Sequence, residues 1–143
     1  MQLKDTDFGW FVATNDCRVG RIEIDFRLCL LLADHADTAT VCIETACRLS
    51  DGDTTVILNP ADQRSVCPIL PFFNAKVSGI SIRKTGTLTI EFESGRSLTV
   101  DPDESYEAWQ IGFPGTALLV CSPGGTVCVF EEPGPDGQDE PKK

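Results

Sequence analysis

Thr87-Leu88-Thr89-Ile90-Glu91-Phe92-Glu93 decides the fold class, because apolar and polar side chains alternate along it without a break. A period of two is typical of a β-strand with one buried and one exposed face. Ser94-Gly95 follows with the composition of a two-residue turn, and the apolar positions of residues 97–100 predict the return strand. We therefore predict a β-hairpin here and an antiparallel sheet as the main structure.

Two short motifs that flank this hairpin have approximate repeats earlier in the chain, and we call this internal similarity the echo. Val19-Gly20-Arg21-Ile22-Glu23-Ile24 parallels Val77-Ser78-Gly79-Ile80-Ser81-Ile82, and Val56-Ile57-Leu58-Asn59-Pro60 parallels Leu98-Thr99-Val100-Asp101-Pro102. The spacing between the two motifs is longer in the first copy, so a chance likeness and a duplication both stay open. The echo predicts two related β-meander units, at about residues 17–75 and 76–130, within a single β-rich domain of residues 17–130.

One short helix is expected to join the two units. Asn59 has the residue type of an N-cap, and Pro60 suits the first helical position. Pro68 and Pro71 argue against a long helix, since a proline in a helix interior costs about 3 kcal/mol. We expect a helix from about Pro60 that ends or kinks near Pro68. The predicted fold class is α+β, predominantly antiparallel β.

Turn signals divide the rest of the chain. Asp51-Gly52-Asp53 is typical of a hairpin, and Pro114-Gly115 and Pro123-Gly124-Gly125 separate three strands of a C-terminal meander. Residues 1–16 are interpreted as an N-terminal lead-in, and residues 131–143 as a disordered acidic tail. Further strands are predicted at residues 19–33, 40–47, 54–58, 77–82, 109–113, 117–121 and 126–130.

The charge balance restricts the classes of partner. The chain has 143 residues, with 22 Asp and Glu against 12 Lys and Arg, and its net charge is −10. Nucleic-acid phosphates and an anionic membrane surface would be repelled, so neither is expected as a partner. A basic protein would be attracted and steered toward the chain.

Seven cysteines indicate the compartment. Their number is odd, no Cys-x-x-Cys spacing occurs, and most of them lie within apolar runs. There is no signal-peptide pattern and no apolar stretch of membrane-spanning length. We expect free thiols that pack as small hydrophobes in a reducing cytoplasm.

Candidate catalytic and metal-binding residues have simpler interpretations. His35 is the only histidine and lies in a polar turn, away from any activated nucleophile in sequence. Cys42 and Cys47 are an odd number of residues apart, so on one strand they would face opposite sides rather than share a zinc ion. We expect no metal site and no cofactor.

An acidic cluster precedes the last meander. Asp101, Asp103 and Glu104 could hold calcium or act as an acid/base pair, but they lack the alternating ligand pattern of a calcium loop. Capping and the helix dipole explain carboxylates at such a turn. No enzymatic activity is therefore expected.

Tyr106-Glu107-Ala108-Trp109 is the segment most suggestive of function. Tyrosine and tryptophan close together after a polar turn have the composition of an interaction hot spot. Alternatively, Trp109 anchors the core where the chain rejoins the sheet, with Tyr106 at its rim. The candidate binding residues are Asp103, Tyr106, Glu107 and Trp109.

The same segment carries a family resemblance. Asp101-Pro102-Asp103, Tyr106-Glu107-Ala108-Trp109 and Ser122-Pro123-Gly124-Gly125 resemble the "PD…YEAW…PGG" signature of an uncharacterised family of small bacterial proteins, common in actinobacteria. The chain departs from the family in ending its last strand with Phe130 instead of tryptophan. The resemblance covers mainly residues 86–130, and it implies a domain type and a bacterial cytoplasmic setting, with no assigned activity.

Three function hypotheses follow. The first is a small acidic cytoplasmic binding protein without catalytic activity, such as an immunity or antitoxin-like inhibitor of a basic protein partner. The second is a ligand-binding or enzymatic domain with a cleft around Tyr106 and Glu107, which requires Glu107 to be buried. The third is a structural homodimer that pairs through an exposed sheet edge.

Overall fold

The computed structural model describes residues 1–131, which form twelve β-strands and one 3₁₀ helix. The strands are β1 (Gln2–Thr6), β2 (Gly9–Ile24), β3 (Leu28–Ala33), β4 (Thr38–Ile43), β5 (Cys47–Asp51), β6 (Thr54–Leu58), β7 (Lys76–Arg83), β8 (Leu88–Phe92), β9 (Ser97–Val100), β10 (Trp109–Phe113), β11 (Ala117–Cys121) and β12 (Val127–Glu131). The helix spans Gln63–Phe72, between β6 and β7. The chain is therefore predominantly antiparallel β with one short helix, as predicted.

All twelve strands belong to one sheet. Its order is β12-β11-β10-β4-β3-β2-β7-β8-β9-β5-β6, and every pairing is antiparallel. The long strand β2 is the hub, because its first half pairs with β1 and β7 and its second half pairs with β3. One apolar core includes Leu58 from one end of the sheet order and Leu119 from near the other. The sheet must therefore curve around this core.

Strict alternation places the core side chains. In β8, Leu88, Ile90 and Phe92 are buried, while Glu91 is exposed. The predicted hairpin of β8 and β9 is present, and so are the β5–β6 hairpin and the C-terminal meander of β10, β11 and β12. Local alternation and turn residues were sufficient for these elements.

The predicted strand at residues 19–33 is instead a hairpin of β2 and β3. The turn is stabilised by Asp25, whose side chain accepts a hydrogen bond of 2.7 Å from the backbone N–H of Arg27. Its backbone N–H also donates to the carbonyl oxygen of Arg27. The prediction was wrong because Phe26, which is exposed in this turn, continued the apolar alternation of β2.

The two predicted units at residues 17–75 and 76–130 do not form separate meanders. The β5–β6 hairpin of the first unit joins the second through β9, where Leu49 lies opposite Leu98. In return, β10 of the second unit joins β4 of the first, where Ile111 lies opposite Val41. These exchanges are long-range pairings that a local pattern cannot reveal.

The chain ends also differ from the prediction. Residues 1–16 are part of the sheet, since they include β1 and half of β2 and contribute Val12 to the core. At the other end, Glu131 is the last residue of β12. The rest of the predicted disordered acidic tail, residues 132–143, lies outside the described residues.

The helix begins later than predicted and continues through both prolines. The Asn59 side chain accepts a hydrogen bond from the N–H of Ala61 in a turn that precedes the helix, so it is not the N-cap. The buried helix residues are Val66, Ile69 and Phe72. Their spacing of three matches the three residues per turn of a 3₁₀ helix, whereas the prediction assumed the α-helical period.

One cysteine pair departs from the expectation of free thiols. Cys29 and Cys42 lie directly opposite each other on β3 and β4, with Cα atoms 4.1 Å apart, and they form a disulfide. Their neighbours Leu30 and Val41 face the core, so both sulfur atoms lie on the outer face of the sheet. The pairing depends on strand register and therefore could not be derived from the spacing of the cysteines.

The other five cysteines are free. Burial raises the pKa of Cys17 to about 11 and that of Cys47 to about 12, so both thiols stay protonated at neutral pH. Cys17 and Cys47 pack as small hydrophobic side chains in the core, as expected for free cysteines.

Within residues 1–131, no helix is long and apolar enough to cross a membrane.

Candidate functional site

Four connecting segments meet at one end of the sheet, which we call the loop end. They are the β1–β2 turn at residues 7–8, the β7–β8 turn at 84–87, the β9–β10 segment at 101–108 and the β11–β12 turn at 122–126. Backbone hydrogen bonds join them: the N–H of Lys84 donates to Phe8, and the N–H of Gly124 donates to Asp103. The loop end is therefore one connected surface.

Trp109 anchors this surface from below. Its side chain is only 1% exposed, because Trp109 begins β10 on the same face as Ile111. The indole Nε1 donates a hydrogen bond of 2.8 Å to the carbonyl oxygen of Gly86. The ring therefore links the 101–108 segment to the β7–β8 turn within the core.

Two glycines allow the turns to approach closely. Gly86 and Gly125 have φ angles of +106° and +108°, which side chains rarely adopt. A Cβ atom on Gly86 would lie 2.6 Å from the carbonyl oxygen of Gly125, closer than such atoms can approach. These positions of Thr85-Gly86 and Pro123-Gly124-Gly125 thus require glycine for packing.

Asp103 shapes the exposed part of the 101–108 segment. One of its carboxylate oxygens accepts hydrogen bonds from the N–H groups of Ser105 at 2.8 Å and Tyr106 at 3.1 Å. The other oxygen accepts one from the Thr45 hydroxyl at 3.3 Å. The Ser105 N–H, followed by that of Tyr106, lowers the pKa of Asp103. An ionised Asp103 therefore holds the turn that presents Tyr106.

Asp101 ties the base of the segment to the sheet. Its carboxylate is hydrogen-bonded to Arg48 of β5 and accepts a bond of 3.1 Å from the Thr87 hydroxyl. The Arg48 hydrogen bond is the main cause of the lowered pKa of Asp101. Capping of a helix, the role expected for Asp101, does not occur, because the described residues that follow it, 102–131, contain no helix.

Tyr106 and three carboxylates form the exposed surface of this segment, which we call the acidic patch. Tyr106 is 72% exposed. Glu104 and Glu107 flank it and are exposed, and Glu44 is brought alongside because its N–H donates to the carbonyl of Ala108 at 2.9 Å. These three glutamates take part in no ion pair within residues 1–131. The patch therefore offers an aromatic ring among unneutralised negative charges.

The four predicted site residues therefore lie in three different structural environments. Tyr106 and Glu107 lie on the surface, Asp103 is hydrogen-bonded within the turn, and Trp109 is in the core. Of the two interpretations of residues 106–109, the position of Trp109 matches the one in which it anchors the core and Tyr106 lies at the rim. The exposure of Glu107 does not match the buried carboxylate that a cleft around Tyr106 and Glu107 would require.

Other candidate residues are dispersed. His35 Nε2 lies 3.2 Å from a carboxylate oxygen of Asp16, and both residues are exposed. Cys42 is bonded to Cys29, and Cys47 is buried without a partner cysteine. Over residues 1–131, no group of three or more His, Cys, Asp and Glu side chains is arranged to hold a metal ion.

Sequence reasoning missed two contributors to the loop end. Phe8 lies at the β1–β2 turn with 81% of its surface exposed, within the segment that was expected to be only an N-terminal lead-in. Gly86 was not singled out, although the pair Thr85-Gly86 between two alternating strands is a turn signal. Its role as the acceptor for Trp109 required the three-dimensional structure.

Comparisons with known proteins give one match. The model of a family of unknown function, DUF6188, matches residues 10–131. No curated protein and no solved structure matches the chain. The matched range extends from the start of β2 to the end of β12 and includes three of the four segments of the loop end.

Proposed function

We propose that this chain, which belongs to the DUF6188 family, is a small binding protein without catalytic activity that recognises a basic protein partner through the acidic patch. The observation that supports this function most is the 72% exposure of Tyr106 among Glu44, Glu104 and Glu107. Tyrosine is enriched among the residues that contribute most to protein–protein affinity. Carboxylates at the rim increase the rate of association with a positively charged partner.

Rigidity of the acidic patch also favours binding. A loop that must be ordered on association loses affinity, whereas a preorganised loop does not. Asp103 holds the backbone of Tyr106, and Trp109 fixes the end of the same segment to Gly86. Tyr106 is therefore presented by a segment attached to the core three residues away.

The net charge of −10 extends the attraction beyond the patch. At an ionic strength of 0.15 M the Debye length is about 8 Å, so charges near the patch act most strongly on a partner.

We propose an immunity or antitoxin-like inhibitor as the specific form of this binding protein, acting in a bacterial cytoplasm. The resemblance to a "PD…YEAW…PGG" signature supports this setting, and we propose that the signature marks the loop end as a shared feature of the family.

A structural homodimer is the second candidate, and the edge strand β6 favours it. Val56 and Ile57 are exposed there, and no strand of residues 1–131 pairs with one side of β6. An unpaired edge with β-branched side chains can pair with a second copy. Light scattering would give twice the mass of the monomer in that case, and a monomer mass would exclude it.

Affinity capture tests the primary function. The wild-type chain and the variant with Tyr106→Ala, Glu104→Gln and Glu107→Gln would be immobilised and exposed to lysate of the source organism at low and high salt. We expect the wild type to retain a basic protein that high salt releases and that the variant fails to retain. The control is Asp5→Asn with Asp7→Asn, which removes the same charge from exposed positions of the β1–β2 hairpin. Equal retention by all three chains would exclude the acidic patch as the binding surface.

A further inference from the structure

The β1–β2 hairpin and β7 form a cavity next to the loop end, and nothing in the proposed partner binding uses it. Its volume is about 410 Å³, within the range of roughly 300–1,000 Å³ that is typical of small-molecule sites. Two aromatic residues, two hydroxyl residues and one cation of the outer face line it: Phe8, Phe11, Thr6, Ser81 and Arg83.

Glycine is required at the floor of this cavity. Gly9 has a φ angle of +150°, and a Cβ atom there would collide with the carbonyl oxygen of Ile82. On the outer face, Gly9 lies opposite Thr6 on one side and Arg83 on the other. Glycine is therefore required here because the backbone of β7 approaches too closely for any side chain.

The aromatic walls are exposed to solvent although they are apolar. Phe8 is 81% exposed at the turn, and Phe11 is 41% exposed on the outer face. The Phe11 ring also covers Gly79, where a Cβ would lie 3.2 Å from its Cε1 atom. One side of the Phe11 ring therefore packs over Gly79, and both rings have surface available for a flat apolar group.

A cation lines the cavity in a chain that is strongly negative. Arg83 is the charged residue of the lining, Lys4 lies opposite Phe11 on β1, and Lys84 follows Arg83 in the turn, where its backbone N–H donates to the carbonyl oxygen of Phe8. These three cations take part in no ion pair within residues 1–131. Unpaired cations next to exposed rings select a ligand with opposite charge.

Two carboxylates of the same hairpin do not cancel this charge within the cavity. Asp5 lies opposite Trp10, so it alternates to the other face of β1 from Lys4 and Thr6. Asp7 is exposed in the turn. Neither carboxylate lines the cavity.

We infer that this cavity binds a small aromatic anion, in which one or two flat rings contact Phe8 and Phe11 and an acidic group is hydrogen-bonded to Arg83. The guanidinium forms paired hydrogen bonds to carboxylate or sulfonate oxygens, and the hydroxyls of Thr6 and Ser81 add further donors. The inference does not depend on the acidic patch, because the two sites have opposite charge and share no residue.

The test uses two fluorescent probes with the same rings. One is 8-anilinonaphthalene-1-sulfonate, and the other is N-phenyl-1-naphthylamine, which lacks the sulfonate. We expect the full-length wild-type chain to bind one equivalent of the sulfonate. Arg83→Gln should weaken that binding at least about fivefold, the size expected for one partly exposed charge-assisted hydrogen bond, and leave the neutral probe unchanged. Phe8→Ala should weaken both probes.

The β2–β3 turn offers matched controls. Phe26 is exposed there beside Arg27, which also has no ion pair within residues 1–131, and neither lines the cavity. We expect Phe26→Ala and Arg27→Gln to leave both affinities unchanged. Failure of the wild type to bind the sulfonate, or equal losses in the control variants, would overturn the inference. Because Phe8 is exposed, a thermal melt of Phe8→Ala should match that of the wild type.

Discussion

The indole Nε1 of Trp109 donates a 2.8 Å hydrogen bond to the carbonyl oxygen of Gly86, inside the core and across 23 residues of sequence. This bond links the segment that presents Tyr106 to the turn between β7 and β8. The most buried aromatic residue of the "YEAW" segment therefore positions the most exposed one.

Removal of this donor should destabilise the fold. Trp109→Phe keeps an aromatic ring, but it removes the indole donor to the Gly86 carbonyl and leaves unfilled volume in the core. We expect a loss of about 1–3 kcal/mol in the free energy of unfolding, measured by urea denaturation. Tyr106→Phe should change it by less than about 0.5 kcal/mol, since that ring is exposed. Equal stability of Trp109→Phe and the wild type would show that the bond is not needed.

A pair of glycine substitutions separates close packing from backbone strain. Gly124→Ala introduces a Cβ at a φ of +88° with no atom within 4 Å, so we expect a cost of about 1 kcal/mol. Gly86→Ala adds a collision with Gly125, and overpacking of this kind costs a further 1–3 kcal/mol or so. The comparison is made by urea denaturation, and similar losses in the two variants would contradict the close approach of the turns.

Acid should weaken the 101–108 segment. The pKa of Asp101 is lowered in the folded state, chiefly by Arg48, and that of Asp103 chiefly by the Ser105 N–H. A lowered folded pKa gives stability that is present above the unfolded pKa of about 3.9 and is lost as the pH falls through the folded pKa. We expect the melting temperature to fall below about pH 4, and less steeply in Asp101→Asn. Asp53→Asn, an exposed control in the β5–β6 turn, should keep the wild-type slope.

The Cys29–Cys42 disulfide predicts a thiol count. Titration of the unfolded, unreduced chain with a thiol reagent should give five free thiols, and titration after reduction should give seven. Because the bridge spans 13 residues of sequence, its reduction should lower the free energy of unfolding by about 3 kcal/mol in the chain-entropy model. Seven thiols before reduction would show that the pair is open in solution.

Local pattern was enough for some elements and not for others. Alternation and turn glycines located β8, β9 and the last three strands, because those signals depend on neighbours in sequence. The Asp25–Arg27 turn was missed because Phe26 preserved the apolar pattern. The helix was predicted to end or kink near Pro68 because the two prolines were weighed against an α-helix, whereas the observed 3₁₀ helix contains both.

The candidate site could be predicted only in part for a related reason. The composition of residues 106–109 identified the segment, but it did not decide which aromatic side chain is buried. That choice follows from register, because Trp109 lies opposite Ile43 at the start of β10, whereas Tyr106 precedes the strand. The contact with Gly86 is a long-range pairing of the kind that no local pattern contains.

The affinity of the captured basic partner for the wild-type chain and for Tyr106→Ala is the most direct measurement of the proposed function. We expect Tyr106→Ala to raise the dissociation constant by roughly 30-fold, as for a residue that contributes about 2 kcal/mol to binding. Phe73→Ala, which removes another exposed ring after the 3₁₀ helix, should leave the constant unchanged. A dissociation constant for Tyr106→Ala equal to that of the wild type would contradict binding through the acidic patch.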